Sequence, residues 1–159
     1  PACMQAARWA REAGRTVVYD GTWLHDDLDE FLTLVNVPIV SMPMVRRWIP
    51  GATPQRVVDR LCAYGAEVAF YTLGADGAIA RSPAGTFTYP AFAAEIVDTT
   101  GAGDLFAGGA LYGLSHGYSP ADSARLGSYA AAQVVARFGP RLEDSLADRI
   151  DGILAHFAA

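Results

Sequence analysis

Cysteine is scarce in this sequence: Cys3 and Cys62 are the only two in 159 residues. They lack the paired spacing of zinc ligands. So few cysteines indicate a reducing compartment rather than a secreted protein held together by disulfides. We therefore expect a cytoplasmic protein in which both thiols pack as small hydrophobic groups.

Basic residues and long apolar runs are scarce as well. Lys and Arg number 12 against 17 Asp and Glu, the formal net charge is −5, and the basic residues are scattered. This charge does not favour binding to nucleic acid or to an anionic membrane surface. No run of about 18 apolar residues could span a bilayer, and no leader pattern is seen at the start. We expect neither nucleic acid nor a membrane as a partner, so a small anionic ligand must be held by local groups.

What the sequence does contain is the pattern of a layered α/β fold. Hydrophobic residues make up 52% of the chain, enough for one sizeable core. The chain starts in a helical pattern that ends near Gly14, as in the middle of a domain. β-rich runs at 16–19, 37–40 and 68–72 are separated by predicted helices at 26–34 and 53–64. Strands separated by single helices indicate a parallel sheet, whose ligands collect beyond the carboxyl ends of the strands.

The second half of the chain departs from that alternation. Short runs at 78–81 and 86–89 predict an antiparallel hairpin that closes the edge of the sheet. Three helices are predicted to follow, from Gly103 to about His116, from Pro120 to Phe138 and from Leu142 to Phe157. Earlier in the chain, Asp20 lies at the end of the first strand, where ligand groups often lie, although Asp-Gly also predicts a simple turn.

The most informative segment is Asp-Thr-Thr-Gly-Ala-Gly-Asp at residues 98–104. Two glycines that flank one alanine at the start of a predicted helix allow a sharp bend, which leaves backbone N–H groups pointing outward. Such a helix start binds anions. Asp104 follows at once, where a carboxylate can orient a hydroxyl and accept its proton. The segment therefore indicates phosphoryl transfer to an alcohol, although Asp98 as an N-cap and Asp104 beside the helix dipole are purely structural alternatives.

Residues 98–104 resemble the C-terminal signature of the ribokinase-like (PfkB) carbohydrate kinases. Thr-Leu-Gly-Ala-Asp-Gly at 72–77 resembles the nucleotide segment of this family, and the alanine-rich helix 121–138 with Gly139 is similar to its closing helix. The resemblance implies a three-layer α/β/α fold, a mostly parallel sheet, and ATP-dependent phosphorylation of a sugar or nucleoside hydroxyl. It also implies that residues 1–159 are one domain portion, the C-terminal nucleotide-binding and catalytic part, without the N-terminal half and lid.

The resemblance assigns roles to individual residues. Asp104 matches the catalytic base, and the anion hole matches Gly101, Ala102 and Gly103. The residues that would line ATP are Thr72, Leu73, Gly74, Ala75, Asp76, Gly77 and Gly103. Ser128 falls where the family often has Asn or His beside the adenine.

The family also commonly binds a monovalent cation, usually potassium, beside the anion hole. The resemblance assigns this site to Asp98 and the Thr100 carbonyl, completed by backbone oxygens near Val134, Arg137 and Gly139. A purely structural role as the N-cap of a helix explains the presence of Asp98 equally well. Mg²⁺ is expected with ATP, bridging phosphate oxygens mainly through water.

One departure from the family bears on metal handling. Many relatives carry Asn-x-x-Glu after the strand that ends here near Val40, but neither 36–39 nor 41–44 supplies the Glu. We expect an ATP-dependent sugar kinase. Three alternatives stay open: a nucleoside kinase of the same fold, an inactive nucleotide-binding domain, and an unrelated α/β enzyme with a phosphorylated substrate. The sequence also leaves open the acceptor and the assembly, for which a homodimer is one option.

Overall fold

A computed structural model describes residues 2–142 and 145–156. The chain divides into two compact units. The first holds the residues up to Leu73 together with Ile79–Phe87, and the second holds Gly74–Ala78 and the residues from Thr88 onward. None of the helices in the described ranges has the length and apolar character needed to cross a bilayer.

Within the described residues, the sheet has five strands in the order β1-β2-β3-β4-β5. Their bounds are β1 Val18–Gly21, β2 Val37–Ser41, β3 Ala69–Thr72, β4 Ala78–Ser82 and β5 Gly85–Tyr89. The first three strands are parallel, with β2 between β1 and β3. Five residues join β3 to β4 and two join β4 to β5, too few for the crossover that parallel strands require, so these pairs are antiparallel. The predicted α/β fold, with a parallel sheet and a hairpin at its edge, is confirmed.

Seven α-helices lie in the described residues. Their bounds are α1 Ala2–Glu12, α2 Leu28–Leu32, α3 Met42–Trp48, α4 Pro54–Ala63, α5 Ala102–Ser115, α6 Pro120–Val135 and α7 Ile150–Ala155, with 3-10 turns at Gly74–Asp76 and Ala147–Arg149. The predicted start of α4 is confirmed, because Thr53 accepts a hydrogen bond from the Arg56 N–H and Pro54 takes the first helical position.

The core of the first unit contains two clusters. The larger is built from buried residues of α2, α3 and α4 with residues of β2, β3 and β4, and the smaller from Ala7, Val17 and Val35. Asn36, which is buried, joins the segments that precede the parallel strands: its Oδ1 accepts from the Val17 N–H, and its Nδ2 donates to Glu67. The amino ends of these strands are therefore held by one amide side chain.

Several sequence predictions were wrong. Asp20 and Gly21 form no turn, since both continue β1 and lie opposite Ile39 and Val40 of β2. Cys62 is half-buried against the larger core cluster, as predicted, but Cys3 is exposed.

The last predicted helix, 142–157, is also wrong in its bounds. It begins as a 3-10 turn at Ala147 and becomes α-helical at Ile150. Of the residues predicted to be helical, Glu143, Asp144 and Phe157 lie outside the described residues.

Candidate functional site

The site is organised around the segment before α5 and the C-terminal end of α6, both in the second unit. The carbonyl oxygen of Val135 accepts from the N–H groups of Val97, at 2.8 Å, and Asp98, at 3.2 Å. In a continuing helix that carbonyl would accept from the Gly139 N–H. The Gly139 N–H instead donates to Asp98. Helix α6 therefore ends at Val135, and its predicted end at Phe138 was wrong.

Asp98 joins the two segments of the site through hydrogen bonds. Its Oδ1 accepts from the Thr100 N–H at 2.9 Å and from the Thr100 hydroxyl at 2.7 Å, and its Oδ2 accepts from the Gly139 N–H at 3.0 Å. The Thr100 hydroxyl, followed by the two backbone donors, holds the pKa of Asp98 below its usual value. Asp98 is not the N-cap of a helix, because Gly101 occupies that position in α5.

Gly101 makes the turn into α5 possible. Its φ is +81°, a left-handed conformation that favours glycine. A Cβ at this position would lie 2.6 Å from Pro140 Cβ, so the neighbouring ring also requires glycine here. Helix α5 then begins at Ala102, one residue before its predicted start.

The first turn of α5 presents two open donors. The Ala102 N–H donates to the Thr99 carbonyl, and the first helical bond runs from Leu105 to Gly101. Between them, the N–H groups of Gly103 and Asp104 donate to no group of the described residues. A Cβ on Gly103 would meet nothing within 4 Å, so the space beside this turn is open. Open N–H groups at a helix N-terminus are the kind of group that binds anions, and Asp104, in the same turn, is exposed. Of the three residues of the predicted anion hole, Ala102 is thus engaged in this structure.

Residues 72–77 lie at the carboxyl end of β3. The Thr72 hydroxyl donates to the Val40 carbonyl of the neighbouring strand at 3.4 Å, and Leu73 packs against the larger core cluster. Gly74, Ala75 and Asp76 form an exposed 3-10 turn, which a hydrogen bond from the Gly77 N–H to the Gly74 carbonyl closes.

Gly77 has no room for a side chain. Its φ is +90°, and a Cβ would collide with the Tyr89 carbonyl oxygen. The glycines at 74 and 77 therefore shape the turn, while Ala75 and Asp76 are accessible to a ligand. Ser128, the predicted adenine neighbour, is buried on α6.

The residues predicted to bind a monovalent cation lie on two adjoining segments. Asp98 contacts Gly139 directly, and the Val134 carbonyl accepts from the N–H groups of Ala136 and Arg137 at the end of α6. No three His, Cys, Asp or Glu side chains within residues 2–142 and 145–156 are grouped as a metal site. A cation here would depend on backbone oxygens and Asp98. Sequence reasoning missed Val135 and Pro140, although a proline soon after a helix end is a common signal.

Ile39 and Met44 are the residues at the two places where the family's Asn-x-x-Glu pattern could have its Glu. Both are buried: Ile39 is 2% exposed, and Met44 is 0% exposed and belongs to the larger core cluster. Ser41, at the start of the second place, donates to the Gly21 carbonyl at 3.4 Å. Neither place supplies a carboxylate.

Comparison with known proteins gives the chain its family. The sequence model of the pfkB family carbohydrate kinases matches residues 1–146. Aminoimidazole riboside kinase of Salmonella typhimurium is 35% identical in an alignment 124 residues long that covers 72% of this chain and 39% of that protein. The 1-phosphofructokinase of Haloferax volcanii is 41% identical over 118 residues, or 74% of this chain and 39% of that protein.

Solved structures of kinases are similar to this chain as well. A crystal structure of aminoimidazole riboside kinase from Salmonella enterica, complexed with aminoimidazole riboside and an ATP analog, matches with a TM-score of 0.78 and 29% identity, covering 96% of this chain and 57% of the other. Adenosine kinase from Sinorhizobium meliloti matches with a TM-score of 0.79 and 28% identity, covering 95% and 49%. The chain thus spans only 39% of each of the two curated relatives. An unrelated α/β enzyme is ruled out, and the chain belongs to the pfkB family of carbohydrate kinases.

Proposed function

We propose that the protein transfers a phosphoryl group from ATP to a hydroxyl of a sugar or a riboside, with Asp104 as the base and the Gly101–Gly103 turn as the anion hole. The observation that carries this proposal is the first turn of α5, which contains both Asp104 and two N–H groups without a partner in the described residues. Scarce cysteine supports a cytoplasmic location.

The chemistry of phosphoryl transfer fits this turn. The transition state spreads negative charge over three equatorial oxygens, and fixed N–H donors stabilise that charge without rearranging. Asp104 lies in the same turn, so a hydroxyl that contacts its carboxylate would also be close to the bound phosphoryl group. The same residue could then orient the hydroxyl and accept its proton.

ATP and the acceptor are supported by different observations. The Salmonella enterica relative was crystallised with an ATP analog, and the exposed turn Gly74–Asp76 of this chain leaves backbone groups accessible to a nucleotide. Relatives named as kinases of a riboside, of a fructose phosphate and of adenosine support a sugar or riboside acceptor. Mg²⁺ would come with the ATP phosphates and neutralise part of their charge.

A catalytically inactive nucleotide-binding domain is the second candidate. It is favoured by the lack of Glu at both places where the family's Asn-x-x-Glu pattern could fall, because Ile39 and Met44 stand there and both are buried. A buried apolar side chain cannot reach a metal ion or a phosphate, so one contribution to metal and phosphate placement would be missing. Turnover by the protein separates the two candidates, since both predict nucleotide binding.

The deciding experiment replaces Asp104 in the full-length protein and measures ADP release against a panel of sugars and nucleosides. If Asp104 is the base, Asp104→Asn should lower kcat by about 10²–10⁴-fold and leave ATP affinity nearly unchanged. Asp151→Asn is the matched control, because Asp151 also lies in the first turn of a helix. Equal turnover in wild type and Asp104→Asn would reject the base, and wild type that binds ATP without turnover would favour the inactive domain.

A further inference from the structure

We infer that the segment following α6 positions the turn Gly101–Gly103, called the anion turn below, and that Pro140 is the main positioning residue of this segment. The inference rests on the proposed function, since it explains how the N–H groups of that turn are held in place. It assigns the role to van der Waals contact and N–H donation, independently of any bound cation.

The two segments meet at several points within the second unit. The Val135 carbonyl accepts from the N–H groups of Val97 and Asp98, and the Gly139 N–H donates to Asp98. Pro140 adds the steric contact, because a Cβ on Gly101 would lie 2.6 Å from Pro140 Cβ and 3.1 Å from Pro140 Cα. The turn is thus held by hydrogen bonds on one side of Gly101 and blocked by a rigid ring beside it.

The rigidity of Pro140 is what makes this contact useful. The ring has a fixed φ and no N–H, so it limits the turn without adding a donor that competes for the acceptors of this loop. If the ring is removed, φ of residue 140 is no longer fixed, so the Cα and Cβ atoms beside Gly101 can move. The turn then gains conformations in which the N–H groups of Gly103 and Asp104 point elsewhere. Such a displacement weakens contacts made in the transition state more than those made to ATP in the ground state.

The test measures steady-state kinetics of Pro140→Ala in the full-length protein, with Pro83→Ala in the β4–β5 connection as the control for losing a proline. We expect kcat to fall about tenfold, below the about hundredfold loss that a displacement of about 1 Å can cause. The KM for ATP should stay within about twofold, because the ground-state contacts are kept. The control should keep its kcat. An unchanged kcat in Pro140→Ala, or a loss no larger than the loss of folded protein, would overturn the inference.

A second variant pair tests the contact itself. Gly101→Ala should lower kcat, since alanine is strained at a φ of +81° and also collides with Pro140. In Gly101→Ala/Pro140→Gly the strain remains but the Cβ atom of residue 140, which lies 2.6 Å from the added methyl group, is removed. The kcat should then recover at least about threefold from the Gly101→Ala value if the two residues act through each other. A double variant no more active than Gly101→Ala would contradict the inference.

Amide hydrogen exchange provides a readout that does not depend on catalysis. The N–H groups of Thr100, Ala102 and Leu105 are hydrogen-bonded in this turn, and Pro140→Ala should speed their exchange while the rest of α5 stays unchanged. If wild type shows no acceptor-dependent turnover, the proposed function fails and exchange alone decides the inference. Unchanged exchange would then overturn it.

Discussion

Helix α5 offers two neighbouring glycines with opposite surroundings. A Cβ on Gly109 would lie 2.8 Å from the Leu126 carbonyl oxygen and from Gly127 Cα, and 2.9 Å from Gly127 N, all backbone atoms of α6. A Cβ on Gly108 would meet nothing within 4 Å. We predict that Gly109→Ala destabilises the protein and that Gly108→Ala stabilises it.

The magnitudes follow from two terms. Either alanine gains about 0.5–1 kcal/mol of helix propensity over glycine. At position 109 the added methyl group also overpacks the α5–α6 contact, which costs about 1–3 kcal/mol, because backbone atoms cannot rotate away. The two variants should therefore differ by about 1–3 kcal/mol in the free energy of unfolding. For a chain of this size that difference corresponds to roughly 3–10 °C in Tm.

Thermal and urea unfolding of the two variants, followed by circular dichroism beside wild type, measure this difference. The urea m-values should agree among the three proteins, since the same surface is exposed on unfolding. Equal Tm values for Gly109→Ala and Gly108→Ala would refute the reasoning, because α6 would then have moved aside at no cost.

The remaining predictions concern Asp98. Hydrogen bonds from Thr100 and Gly139 lower the pKa of Asp98 below its ordinary value of 3.8. The stabilisation of the loop by these bonds is therefore complete above the unfolded-state pKa and is lost as the pH falls through the lower folded-state pKa. A titration of the Asp98 carboxyl by NMR with a midpoint at or above 3.8 would contradict this. If Asp98 also binds potassium, Asp98→Ala should reduce activation by potassium relative to tetramethylammonium. Identical rates in both salts, before and after the change, would remove the cation site.

Much of the fold could be predicted from local sequence. The parallel strands and α4 follow from hydrophobic periodicity and from Thr53-Pro54, signals that lie within a few residues of the elements they specify. The start of α5 was predicted within one residue, because the glycines of the turn are adjacent to it in sequence.

Most of the predictions that failed depend on contacts between residues that are far apart in the sequence. Asp20-Gly21 is typical of a turn, but pairing with β2 keeps both residues extended. Helix α3 was not predicted, since it has only seven residues and contains Pro43. The end of α6 depends on N–H groups of Val97 and Asp98, whose contact with Val135 is not visible in sequence periodicity.

The buried methionine in α3 has a consequence for redesign of the protein. Met44 fills space in the core, and a Cβ on Gly21 would lie 2.7 Å from its sulfur atom. Placing a glutamate at this position would bury a charge without a partner, at a cost of several kcal/mol. Substitution at position 44 alone therefore cannot introduce a metal-binding carboxylate here, because the surrounding packing would have to open first. An added carboxylate for metal handling has to be placed at an exposed position instead.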